Sequence, residues 1–462
     1  MQNSNQSFMQ KADTLEKIDA AVNKFQPIPP NHPFYVNFEN LRGDFQEKSV
    51  LRLLNARKSY GKYTFDYRIN QANTSLLFLA GMRGSGKTSE LAKYADRLHS
   101  ADCFFVITCN IDEDLDMDNV QYMDIVIYQL EQLIKKADAV NLDLENGIVE
   151  TMYEWFGTRV EEINTTLKAE GSAEVEFTTG RPGTIGSLLK HFLGLTAKVK
   201  AGLSGSKGQA NSIRTVFKNN FTEFATKFNT FIEQTNEQLR KQGIAQEILF
   251  IIDGLEKTMS ADTRRKIIME ESNRIRQIKA NTIFTLPIEL MHEEQRIRNF
   301  GEIITFPFIK IKDRKGFPVK EAYTIFQEFI GKRIASELFD SPETIRLAIE
   351  YSGGSPRQLL RIIEQANWLA DEEKGIITRK DMDEAINKLG NSTARFLTPE
   401  DYAILKQLHV DLQAGNPIGF SKEIQVLLEK EVIFEYNDGT YKRVNPLLER
   451  STLYIHNVTN AT

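Results

Sequence analysis

The sequence predicts an α/β sandwich around a five-stranded, mainly parallel sheet, and three observations carry that prediction. Five short apolar runs occupy residues 76–80, 103–109, 248–253, 282–287 and 303–309. Runs of that length, apolar at successive rather than alternate positions, suit strands covered on both faces. Segments with helical spacing separate them, as parallel crossovers require. The first run also opens directly into a glycine-rich loop and a helix.

That first run, Leu76-Leu77-Phe78-Leu79-Ala80, leads into Gly81-Met82-Arg83-Gly84-Ser85-Gly86-Lys87-Thr88 and then helical Ser89-Glu90-Leu91-Ala92-Lys93-Tyr94-Ala95. The loop fits the pattern G-x-x-x-x-G-K-[ST] at every fixed position, between a strand and a helix. Glycines let the backbone wrap a phosphate so that several N–H groups point at it, and the helix adds its positive dipole end. Gly81, Arg83, Gly84, Ser85, Gly86, Lys87, Thr88 and Ser89 are therefore the candidate cradle. Lys87 would reach the β/γ-phosphates and the Thr88 hydroxyl would take one site on Mg²⁺. A nucleoside triphosphate with Mg²⁺ is the predicted ligand.

The second run holds the chain's two cysteines, Cys103 and Cys109. Even spacing would face both to one side of a strand, about 20 Å apart, too far for a bond. They are expected to be reduced core residues. Residues 124–139 follow with Ile125, Ile127, Leu130, Leu133 and Ile134 at helical spacing. The third run ends in Asp253, at the end of a parallel strand where ligands bind, which makes it the partner of Thr88 in holding Mg²⁺. Gly254 comes next and the nearest further acid is Glu256. This D-G-L-E segment resembles the signal-transduction ATPases known as STAND proteins, especially their NACHT branch. Hydrolytic AAA+ motors carry a Glu directly after the Asp. The resemblance implies either Glu256 as the base or slow hydrolysis, and it makes Thr285 in the fourth run the sensor-1 candidate.

The carboxyl-terminal third adds Glu293-Glu294-Gln295-Arg296-Ile297-Arg298 before the fifth run. Later come Ser352-Gly353-Gly354-Ser355-Pro356-Arg357 and Ile377-Thr378-Arg379-Lys380-Asp381. This succession resembles the origin-recognition and initiator clade of AAA+ ATPases, over roughly residues 40–450. The resemblance implies that Arg357 is a sensor-2 arginine on a helical lid. It also implies that Arg296 or Arg298 is a finger reaching a neighbouring subunit, hence a homo-oligomer, and that the nucleotide is ATP. No NKxD-type guanine motif is present.

Four parts are expected: an amino-terminal arm (1–40), an ATPase core (41–312), a lid (313–392) and a winged-helix-like module (393–462). In the last, Thr398 and Pro399 start a helix, a second helix follows, and residues 432–444 read as a hairpin. Its bases, Lys422, Lys430, Lys442 and Arg443, are offset by acids, which favours packing over DNA readout. A helical insertion at about 145–245 contains a stretch, 177–222, with no Asp or Glu but Arg181, Lys190, Lys198, Lys200, Lys207, Arg214 and Lys218. It is a possible DNA or RNA contact, and its small polar centre, 201–211, is expected to be a loop.

With 462 residues, a net charge of −5 and no apolar run long enough to span a bilayer, the chain is expected to be cytoplasmic. No second catalytic constellation is visible, neither H-E-x-x-H nor G-x-S-x-G. The leading expectation is thus an ATP-dependent oligomeric switch acting on a separately encoded effector, with anti-phage defence as its setting. An initiator-like DNA loader is the alternative.

Overall fold

A computed structural model describes residues 10–23, 27–43, 45–67, 74–169, 185–258, 260–419, 421–437, 439 and 441–460. A short helix, Glu47–Leu53, leads into a hairpin, β1 (Ala56–Ser59) and β2 (Lys62–Phe65). The sequence alone reads as one helix around 44–57, and the structure shortens it. Asn55 takes a left-handed conformation (φ 57°) that ends the helix, and Tyr60-Gly61 (φ 49° and 81°) make the tight turn.

The central sheet contains β3 (Leu76–Gly81), β4 (Phe104–Asn110), β5 (Glu247–Asp253), β6 (Asn281–Pro287) and β7 (Glu302–Thr305). Their order is β4-β5-β6-β3-β7 and every pair is parallel. Along β3 the pleat sends Leu77 and Leu79 into one buried cluster and Phe78 and Ala80 into another, so both faces are covered. The fifth strand is shorter than its apolar run. Pro307 lacks an N–H and ends the ladder, and the chain then pairs Ile309 N–H with the Gly354 carbonyl (3.3 Å). The cysteines also depart from expectation. Both are buried and free, but Cys103 sits in a turn ahead of β4 and packs on one side of the sheet while Cys109 packs on the other.

Helices α1 (Lys87–Leu98), α2 (Tyr122–Ala139), α3 (Asn146–Ala169), α4 (Ile185–Leu203), α5 (Lys207–Asn219) and α6 (Phe221–Lys241) lie between β3 and β5. The last four are the insertion. Its expected central loop is mostly helix: only 204–206 join α4 to α5, and the Ser206 hydroxyl caps α5 by accepting from Gln209 N–H (3.2 Å). Leu189, Phe192, Phe217 and Phe224 bury this bundle against α2 and the sheet, so packing overrides a composition that reads as loop. Arg181 falls outside the described residues.

Helices α7 (Lys320–Gly331), α8 (Pro342–Tyr351), α9 (Pro356–Asn367) and α10 (Arg379–Ala394) share one core. The segment expected to be an arm belongs to that core through Ile18, Val22, Phe34 and Phe38. Ala12 exchanges backbone hydrogen bonds with Arg333 and Ala335. Finally α11 (Pro399–Gln413), α12 (Lys422–Glu429) and the hairpin β8 (Ile433–Tyr436)–β9 (Tyr441–Val444) occur in the expected order. Thr398 and Asp401 form a capping box on α11.

Candidate functional site

The carboxyl end of β3 carries the glycine-rich loop, and α1 starts immediately after it at Lys87. Gly84 and Gly86 adopt φ of 76° and 95°, a region that side chains rarely enter. A Cβ on Gly84 would lie 2.8 Å from the Arg357 Cβ, and one on Gly81 would lie 2.5 Å from the Phe306 carbonyl. The loop is thus held by backbone shape and close neighbours. Lys87 is buried and donates to the Gly81 and Met82 carbonyls (2.9 and 3.0 Å), with Glu256 3.6 Å away.

Asp253 ends β5 beside this loop, and its Oδ1 accepts the Gly254 N–H (2.9 Å). Burial, then the nearby Glu256 charge, pushes its carboxyl up to about 6, while Thr88 and Lys87 oppose the shift. Thr88 and Asp253 therefore adjoin, as joint Mg²⁺ ligands should. Burial would also raise Glu256. The Lys87 ammonium, a backbone N–H, Lys257 and Thr285 outweigh it and hold that carboxylate below its ordinary value.

Gly254 explains why no acid follows Asp253. It sits at φ 101°, and a Cβ there would come 2.4 Å from Asp112 Oδ1, so only glycine fits. Asp112, supplied from just beyond β4, is ion-paired with Lys257.

The cleft beside the loop, about 130 Å³, is lined by Gly84, Gly86, Lys87, Thr88, Ser89 and Glu256, with Arg357 arriving from the lid. Pro27, Ile28, Tyr35 and Val36 form its apolar side, and Ile28 N–H donates to the Ser89 hydroxyl (3.2 Å). Around the loop, Ser85 Oγ, Arg42 Nε and Glu256 Oε2 are among the buried polar atoms without a hydrogen-bond partner. An unpaired buried polar group costs about 1–3 kcal/mol, which hydrogen bonds to a polar ligand would offset. A polyphosphate and Mg²⁺ fit these donors and acceptors. Asp253 and Thr88 could give a metal one carboxylate and one hydroxyl, with phosphate oxygens and water supplying the remaining ligands. The fold is that of a P-loop NTPase.

Two predicted site residues are not brought to the loop. Arg296 pairs with Glu293, and Arg298 with Glu294 (2.6 Å), both about half-exposed. Arg298 lies beside Leu76 and Glu302, at the amino end of the sheet. Within one chain neither meets the P-loop; a finger would act on a neighbour. Three residues that no motif flags do reach it. Arg42 donates to the Ser85 carbonyl, Asp112 packs on Gly254, and Glu431, just after α12, faces Arg83, Arg357 and Lys87 electrostatically.

No protein-family model and no curated protein matches the sequence. Among solved structures, the Walker-type ATPase PABY2304 of Pyrococcus abyssi is 13% identical, with 81% of this chain and 90% of that one covered at a TM-score of 0.37. The Aeropyrum pernix ORC1 protein, solved in complex with DNA, is 11% identical, with 60% and 76% covered at a TM-score of 0.23.

Proposed function

We propose that this P-loop NTPase binds ATP with Mg²⁺, hydrolyses it slowly, and uses the nucleotide to set an oligomeric switch acting on a separately encoded effector. The observation that carries the switch is the contact between the P-loop and the winged-helix-like module. Met82, inside the loop, is buried in that module's core with Phe308, Phe434 and Leu427. Glu431 brings a carboxylate toward Arg83 and Arg357, the cations a terminal phosphate would take. Burying one Met contributes about 2 kcal/mol, within the range of coupling that a ligand's differential affinity can overcome.

The chemistry follows from the same residues. Bound Mg²⁺, held by Thr88 and Asp253, would offset phosphate charge. Lys87 would neutralise the terminal phosphate, with Thr285 beside it, and Arg357 would sense that phosphate from the lid. Glu256 would orient the attacking water and accept its proton as the bridging P–O bond breaks. A carboxylate held charged by Lys87 is a weak proton acceptor, which supports slow turnover. Anti-phage defence is the setting this architecture suggests.

The loader reading draws on Lys190, Lys198 and Lys207, which are exposed on the insertion. The module offers it little: Lys442 pairs with buried Glu435 (3.2 Å), Lys430 with Asp401 (2.6 Å), and Arg443 donates to the Arg314 carbonyl (3.3 Å). ATP turnover measured with and without single- and double-stranded DNA, beside the mass in solution, separates the two. Slow turnover indifferent to DNA, with assembly on ATP, supports the switch; stimulation by DNA with a ring-sized mass supports the loader.

A further inference from the structure

We infer that Arg42 is a positioning residue of the phosphate cradle, supplied from outside the glycine-rich loop to aim one of its N–H groups. The inference rests on the P-loop reading and deepens it. The Arg42 side chain is buried, 3% exposed, beneath the loop. Its Nη2 donates to the Ser85 carbonyl (2.7 Å) and its Nη1 to the Pro307 carbonyl (2.8 Å). The Ser85–Gly86 peptide is trans, so its C=O and N–H point in opposite directions. Drawing the carbonyl toward Arg42 turns the Gly86 N–H to the other side of that peptide, toward the ligand. The approach is close: a Cβ on Gly86 would lie 3.3 Å from Nη2.

The residue must be arginine rather than lysine. The planar fork holds two donors at a fixed spacing for carbonyls on separate segments, and the guanidinium also stacks 3.8 Å from the centre of the Phe306 ring, which an ammonium cannot do. No carboxylate lies within ion-pair distance of Arg42 among the described residues, and its Nε is buried without a partner. Glu90 and Tyr35 are the groups that favour its charge from a distance, while burial lowers its pKa to about 10. The cation is still charged at neutral pH, so both bonds to carbonyls are charge-assisted. The chemistry it recognises is the polyphosphate, not the base.

Calorimetry on the full-length protein tests this, with ATP and inorganic tripolyphosphate as probes and melting curves to confirm folding. R42K, which keeps the charge but not the fork, should weaken both probes by the same factor, about tenfold or more. The R42K/K87A double variant should lose less than the product of the single losses, since both act on one cradle. F306L, which keeps the donors but removes the stacking, should weaken both probes in the same ratio by a smaller factor, and it serves if R42K does not fold. A folded R42K binding both probes as wild type does, or losing ATP alone, would overturn the role of Arg42. Wild type binding neither probe would sink the P-loop reading itself, a different and distinguishable failure.

Discussion

The nucleotide cleft and the basic insertion are both rich in buried charge, yet they treat it in opposite ways. In the insertion, the buried charges meet opposite charges or acceptors, although Arg214 Nη1 and Arg159 Nε stay without hydrogen-bond partners. Arg214 makes a two-pronged pair with Asp124 (2.9 and 2.6 Å), Lys200 meets Glu131 (2.9 Å), and Lys218 donates to Gln121 (2.8 Å). In the cleft, Lys87 has Glu256 at 3.6 Å, but Arg42 has no carboxylate within ion-pair distance among the described residues, and Ser85 Oγ and Glu256 Oε2 lack hydrogen-bond partners. Paired charge is what a structural bundle needs, whereas a buried cation without a carboxylate stores affinity for an anionic ligand. Basic composition alone points to the stretch 177–222 as a nucleic-acid surface, but three of its six described bases, Lys200, Arg214 and Lys218, are bonded within the protein.

Breaking the satisfied side should cost most. R214A would leave Asp124, 3% exposed, without its ion-pair partner and with the Gln121 N–H (2.9 Å) still bonded to it, and should destabilise the chain by about 3–5 kcal/mol in denaturant titrations. Among protein molecules still folded, ATP affinity should not change; a loss there would join two regions that the structure keeps apart.

The unsatisfied side should respond with the opposite sign. The Asp253 pKa is raised to about 6 from 3.8, so the fold favours its protonated form. That contribution is fully present below about pH 3.8 and is lost as pH rises through about 6. D253N mimics the protonated side chain, so the ligand-free variant should be more stable than wild type at pH 7, on the order of 2 kcal/mol. It should also lose the Mg²⁺ dependence of nucleotide binding. In wild type, that dependence should fade below about pH 6 as protons compete for the carboxylate. A destabilised D253N would show that Asp253 is satisfied without a ligand.

The smallest effect is expected from the exposed lysines. Replacing Lys190, Lys198 and Lys207 together by Gln should shift stability by less than about 0.5 kcal/mol per site. The switch reading expects no change in turnover with DNA present. A DNA stimulation that this variant abolishes would sharpen the contrast into a loader's binding face.

What was legible in the sequence was what is local. The P-loop and the Asp253 strand are contiguous patterns, and the sheet follows from five apolar runs. The Cys103 turn and the Tyr60-Gly61 hairpin are local and carry no pattern distinct from the strand and helix read there, whereas the helical 201–211 region is decided by packing against neighbours distant in sequence. The same holds within the site. Arg42 lies 43 residues before Ser85, and Asp112 reaches Gly254 only because β4 and β5 are adjacent. Glu431 arrives through the packing of the last module against Met82. No spacing rule joins these segments; tertiary structure does.

The most direct test of the central claim is ATP affinity of wild type and K87A with Mg²⁺, by calorimetry on proteins of equal thermal stability. The account predicts saturable binding by wild type and loss of tight binding in K87A, because Lys87 is the loop's own cation at the phosphates. Micromolar affinity retained by K87A would contradict it.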